Sequence, residues 1–417
     1  METTLAAAYC EGWDNGLVNP LTQDAAEARD SAGEPYTVVL LAGGRLHTVL
    51  NISWTEGYCA VLRHNTAGHR IASHELRRAP EGDLFLREST TWASPADDAS
   101  ARHRTMWQLG GRRRDEIEPE GSRGRPRTFA NDGHTPPRLP LPAFGRWHAL
   151  LDRASRVHTE ACVAPYADGC ALPHEPGDRH RITEAVPPDL PSRTSAERPW
   201  FPPRPLRPRS LPTLFRDGAE RTAGDRRMRI STHPAGKLNL PSGRLVAADP
   251  SALEFDEEPF LMTVSPGTYP VTISLATFTD DPGHSRVAAA RLDVSDRHPV
   301  RWELALRDGQ DPLDLGYGEF FGFGVDAGIA CFVDETNSAR LSTEWESLHL
   351  QDPRFASVAA GDMIAWSSGW GDGAYPTWIG RDHENRITSF IADMLLFPGD
   401  DQARCRGGTA GQDRCRS

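Results

Sequence analysis

Short apolar runs that alternate with small polar residues, each closed by a glycine or proline turn, constrain this chain more than any other feature. Val271-Thr-Ile-Ser-Leu-Ala-Thr-Phe278 is the clearest case. A period of two places one set of side chains on each face, which is the pattern of a half-buried strand and not of a helix. Similar runs begin at Tyr36, where Tyr36-Thr-Val-Val-Leu-Leu-Ala ends at the turn dipeptide Gly43-Gly44. They continue through Arg45 to Trp54, Gly57 to His64, Arg70 to Arg78 and Leu84 to Thr91. Strands about ten residues apart, separated by Gly and Asn turns, predict an antiparallel meander over residues 34–94.

The signals return at Met228. Leu245 to Ala248, Phe260 to Val264, Tyr269 to Phe278, Val287 to Val294, Val300 to Leu306, Gly322 to Val333, Asp362 to Ser368, Pro376 to Gly380 and Ile387 to Phe397 read as strands. Pro266-Gly267 reads as a turn between two of them, and Thr343 to Leu350 and the stretch near Phe355 as helix or loop. Two packed antiparallel sheets bury such faces economically, so a β-sandwich-like domain is expected over residues 229–399. The fold class expected is therefore mainly β, a small N-terminal meander domain plus a C-terminal sandwich.

The stretch between them differs. Residues 101–228 hold 18 of the 34 prolines, and Trp200-Phe-Pro-Pro-Arg-Pro-Leu-Arg-Pro-Arg favours extended polyproline geometry. Residues 95–228 read as a connector, with one helix at Pro142 to Val157, where Phe144, Trp147, Leu150, Leu151 and Val157 recur at helical spacing. Residues 1–33 read as a polar lead-in with a short helix near Asp24 to Arg29, and residues 400–417 as a disordered tail.

Charge and cysteine use narrow the function classes. The formal charge of the 417 residues is −12, and residues 229–417 carry 28 acidic against 16 basic side chains. Acidic ends argue against nucleic acid as the partner. The basic stretch at 101–228 reads as a self-contacting or solvated surface. Lys237 is the one lysine beside 45 arginines, which points to a GC-rich bacterial genome. The seven cysteines are widely spaced with no Cys-x-x-Cys pair, so free thiols are expected, with Cys405 and Cys415 able to bridge in an oxidising setting. No run approaches the roughly 20 apolar residues of a membrane span. The start lacks the basic-then-apolar pattern of a signal peptide. A cytoplasmic protein with no membrane contact is the expectation.

Four motifs stand together in the last third. They are Leu240-Pro-Ser-Gly-Arg-Leu-Val-Ala-Ala-Asp-Pro250, Pro266-Gly-Thr-Tyr-Pro-Val271, Val325-Asp-Ala-Gly-Ile-Ala-Cys-Phe-Val-Asp334 and Ser368-Gly-Trp-Gly-Asp-Gly-Ala-Tyr-Pro376. In order and spacing they resemble the bacterial family catalogued as domain of unknown function 4241, over about residues 236–397. The overall layout resembles multidomain actinobacterial proteins. The resemblance implies a related fold and assigns no activity. Family members tend to end with Asp-Phe after the last strand, where this chain has Asp393-Met-Leu-Leu-Phe397.

The candidate site residues lie in these motifs. Asp249, before Pro250, has the form of an Asx turn. Asp326 and Asp334 are eight residues apart, roughly 26 Å on an unbroken strand, too far to share a metal unless Gly328 breaks it. Asp372 sits between Gly371 and Gly373 beside Trp370 and Tyr375, where a glycine-lined loop exposes a carboxylate among aromatic surfaces. Trp366 and Trp378 extend that aromatic cluster. No Gly-x-Ser-x-Gly elbow, His-Glu-x-x-His, phosphate loop or dinucleotide fingerprint is present, so no metal and no cofactor are expected. Two readings follow. One is a non-enzymatic protein-binding module of immunity or regulatory type, whose acidic surface steers a basic partner. The other is a metal- or carboxylate-dependent enzyme with its site at Gly371–Gly373. The sequence fixes no oligomeric state.

Overall fold

The computed structural model describes residues 2–92, 102–118, 127–131, 133, 135–151, 179–183, 190–208, 211–255, 258–341, 355–358 and 362–397. The protein is mainly β, its sheets mostly antiparallel, and divides into two units, Met1–Pro203 and Arg204–Ser417.

In the first unit the expected meander is present. Strands Tyr36–Ala42, Arg45–Ser53, Tyr58–His64, Arg70–Arg78 and Leu84–Trp92 pair consecutively. The sheet runs further in both directions than the sequence suggested. Arg102–Trp107, Arg113–Glu118 and Arg127–Asn131 continue one edge. At the other, Glu2–Trp13 pairs antiparallel with Tyr36–Ala42 and then with Leu17–Leu21. Residues 2–21, read as a polar lead-in, are thus two strands. Residues 36–41 are buried throughout and need an ordered neighbour on this side, which the alanine-rich segment supplies.

Helix Gln23–Ala32 begins at Thr22, whose hydroxyl accepts from the Ala25 amide, and ends at Gly33 in the left-handed region. It packs through Ala26 into a core with Tyr36, Leu50, Trp147, Leu150 and Leu151. Residues 148–151 are the described part of the helix expected at 142–157, and residues 152–157 lie outside the described residues.

The proline-arginine tract does more than connect. The Trp200 indole N–H lies 2.9 Å from both the Glu11 carbonyl and Thr37 Oγ1. The Asn19 side-chain amide exchanges two 2.8 Å hydrogen bonds with the Ser195 backbone. Proline removes ladder donors, so this segment docks through side chains instead.

The second unit contains a seven-stranded sheet and a four-stranded sheet. Strand order in the larger is Glu220–Ala223, Arg226–Leu240, Gly267–Phe278, Ser285–Asp293, Ile387–Asp393, Thr377–Arg381 and Arg301–Leu304. The smaller pairs Leu245–Ala248, Ile329–Asp334, Met363–Ser367 and Phe355–Val358. Val271, Ile273, Leu275, Leu292 and Phe390 of the first meet Phe332, Ile364 and Trp366 of the second in one core. The opposite face of the larger sheet is partly covered by helix Leu211–Leu214.

Two local expectations differ. Phe260 to Val264 is no strand, because its amides bond to three separate acceptors: Phe260 to Leu245, Leu261 to Leu306 and Val264 to Gly243. No single neighbour offers it a ladder, and the strand begins only at Gly267. Phe355–Val358 is a strand, secured by pairing with Met363–Ser367, where sequence suggested loop or helix. The helix expected at Thr343 to Leu350 lies outside the described residues.

Candidate functional site

Asp249 and Asp334 are the most deeply placed of the sequence-derived candidates, at 2% and 0% exposure. Leu245–Ala248 and Ile329–Asp334 form one antiparallel ladder, and each aspartate ends one of its strands. Asp249 Oδ1 accepts from the Ser251 amide (2.8 Å) and hydroxyl (2.7 Å), and Oδ2 from the amides of Asp326 (2.9 Å) and Ala327 (2.7 Å). Asp334 Oδ1 accepts from the Thr336 amide (3.0 Å) and hydroxyl (2.6 Å), and Oδ2 from the Ser242 amide (3.0 Å) and hydroxyl (2.8 Å). Each carboxylate therefore holds the turn that follows it and the turn across the ladder. Four donors satisfy a buried carboxylate, which would otherwise carry a large desolvation cost.

Gly328, with φ of +67°, breaks the strand that the sequence left open as continuous. The break brings the Asp326 and Ala327 amides to Asp249, while the exposed Asp326 side chain has no hydrogen-bond partner among the described residues. Asp334 remains at the far end of the ladder, roughly 13 Å of strand away. Asp326 and Asp334 are thus not brought together.

The Gly371–Gly373 loop is held by Tyr375, which is 5% exposed. The Tyr375 hydroxyl donates toward the carbonyls of Gly371 (2.6 Å) and Ser368 (3.0 Å), and the Ser368 hydroxyl donates to Gly371 O at 2.7 Å. Asp372 is exposed and has no hydrogen-bond partner among the described residues. Trp370 is 46% exposed, with the Arg286 guanidinium 5.6 Å from its ring. The expected aromatic cluster is divided. Trp366 and Tyr375 lie in the intersheet core, Trp378 on the opposite face of the larger sheet, and Trp370 on the surface. Alternation along each strand sends neighbouring aromatics to different faces.

Cys10, Cys59 and Cys331 are buried free thiols, and burial pushes Cys10 up to about 12. Cys331 lies in the apolar cluster with Val246, Val333 and Met363, as its surroundings in sequence suggested. Among the described residues no group of three or more His, Cys, Asp or Glu side chains is placed to hold a metal ion. No helix among them is long and apolar enough to cross a membrane.

A feature the motifs did not mark is the edge of the larger sheet. Arg301–Leu304 comes last in the strand order and, among the described residues, pairs on one side only, with Thr377–Arg381. The Ala305 amide donates inward to Thr377 O, whereas Leu306 O turns outward and accepts from Leu261. By alternation the backbone groups of Trp302 and Leu304 also face outward. Val300, Leu261 and Met262 flank this edge at 67%, 48% and 39% exposure. Val300 N donates to Arg381 O at 2.7 Å, and the Arg381 guanidinium reaches the Met262 sulfur at 3.2 Å. They are three of the seven large apolar side chains exposed among the described residues, so exposure concentrates here. The sequence signal was faint: Val300 follows a proline, and Leu261-Met262 sits in a run that reads as strand.

Residues 238–358 and 354–392 match the family described as "Protein of unknown function (DUF4241)". This bears out the resemblance carried by the four motifs, over the sandwich that contains the aspartate clamps and the open edge. No curated protein and no solved structure matches the chain.

Proposed function

We propose that this protein is a binding module whose C-terminal sandwich recognises a protein partner along the Arg301–Leu304 edge. The occupant is an extended segment of a basic protein, added to the sheet as a further strand. One observation carries the reading: an edge strand that pairs on one side only among the described residues, flanked by exposed Val300, Leu261 and Met262. Strand addition draws affinity from main-chain hydrogen bonds and specificity from flanking side chains. Contiguous exposed apolar surface is also what marks an interaction site on a soluble domain. The 28 acidic against 16 basic side chains of residues 229–417 favour encounter with a basic chain.

The carboxylates considered for an enzymatic role support this choice. Asp249 and Asp334 are saturated by backbone and hydroxyl donors, and Asp372 is exposed, one residue before Gly373, which pairs with Val325. The test compares wild type with Val300→Asp. Partners captured from the source organism are identified and then bound in purified form. The reading expects a basic protein whose affinity falls at least about tenfold in the variant. An acidic partner, or a partner indifferent to Val300→Asp, would contradict it.

A further inference from the structure

The second unit also holds a groove of about 730 Å³ on the face of the larger sheet away from the intersheet core. Its floor comes from three adjacent strands, with Arg291 and Asp293 at its centre. Phe215 and Trp302 belong to its walls. The volume lies within the range of small-ligand sites, which is about 300–1,000 Å³.

Arg291 and Asp293 make this groove more than a gap. Both side chains are about 30% exposed, at 31% and 27%, and Arg291 Nε lies 2.7 Å from Asp293 Oδ1. The Arg291 guanidinium also sits 4.5 Å from the Phe215 ring centroid, a cation–π contact. Its terminal amino groups and Asp293 Oδ2 have no hydrogen-bond partner among the described residues. A donor set and an acceptor therefore stand side by side, both about two-thirds withdrawn from water. Burial raises the Asp293 carboxyl above its ordinary range despite the adjacent guanidinium.

Charge selects the ligand class. Arg291 and Asp293 balance each other on the groove floor, while Arg297 at its rim is paired with Asp382 and Glu384. A simple anion would meet Arg291 but be repelled by Asp293, and a simple cation the reverse. A ligand that carries a carboxylate and an ammonium close together satisfies both. We infer that the groove binds a free α-amino acid with an aromatic side chain, its carboxylate on Arg291, its ammonium on Asp293 and its ring between Phe215 and Trp302.

The probe is L-phenylalanine, titrated calorimetrically into the full chain, beside N-acetyl-L-phenylalanine and L-phenylalanine methyl ester, each of which removes one charge. Saturable binding of L-phenylalanine is expected, weakened at least about tenfold by either block and by either Arg291→Met or Asp293→Asn. The isosteric Asp293→Asn keeps the test decisive if Arg291→Met fails to fold. No binding at millimolar L-phenylalanine, equal binding of a blocked analogue, or full binding by folded Asp293→Asn would overturn the inference.

Discussion

Asp249 and Asp334 face opposite ways along one two-stranded ladder, and each ties the end of its own strand to the turn that enters or leaves its neighbour. The motifs that carry Asp249 and Asp334 therefore act as paired clamps. Removing either carboxylate leaves four donors unmatched in a buried setting. Asp249→Ala and Asp334→Ala should each destabilise the second unit by about 3 kcal/mol. Asp334→Asn should cost less, because its carbonyl oxygen keeps one pair of bonds. Urea denaturation midpoints give the comparison, and alanine variants as stable as wild type would refute the clamp role.

The loop that carries Asp372 separates structure from surface. Tyr375→Phe deletes the hydroxyl that holds Gly371 and Ser368, and should cost about 1 kcal/mol. Asp372→Ala should fall within about 0.5 kcal/mol of wild type, as expected at an exposed position without partners. Thermal unfolding of the two variants side by side would show the contrast, and the reverse order would contradict it.

Asp393 gives the second unit a pH signature. Burial, only partly offset by the Leu395 amide and the Trp378 indole, pushes its carboxyl up to about 6 from 3.8. The folded state then holds this proton more tightly than the unfolded one. Between pH 4 and about 6 the native form is protonated and the unfolded form is not, so stability falls as pH rises through that window and the penalty persists above it. Asp393→Asn should remove this slope and be at least as stable as wild type at pH 7. A wild-type stability that climbs with pH over the same interval, with the variant tracking it, would count against the assignment.

Trp200 is expected to be part of the first unit's stability. Its indole N–H reaches Glu11 O and Thr37 Oγ1, which sit on neighbouring strands. Trp200→Ala should cost about 2 kcal/mol and speed amide exchange in Glu2–Trp13 and Tyr36–Ala42. Unchanged exchange would mean that the tract merely rests on the sheet.

The parts of this fold that could be read from sequence are those governed by local chemistry. The alternation in Val271 to Phe278 and the Gly43-Gly44 turn each determine their own geometry. Glu2–Trp13 was hidden because its alanines carry no strand signal, and its pairing with Tyr36–Ala42 depends on residues some thirty positions on. Phe260 to Val264 misled for the opposite reason: it has strand composition, but its hydrogen bonds go to three partners. The Asx turn read at Asp249 is present in its bonds to Ser251. Its second partners were invisible, since Asp249 meets Asp326 and Ala327 across 77 and 78 residues. The open edge at Arg301–Leu304 is a matter of strand order, which no local run of residues encodes.

Amide hydrogen exchange of the protein with and without its purified partner tests the central claim most directly. Strand addition predicts new protection at Trp302 and Leu304, whose backbone groups face outward, with no new protection in the Gly371–Gly373 loop. Protection confined to that loop, or a complex that leaves Trp302 and Leu304 exchanging as in the free protein, would contradict recognition through this edge.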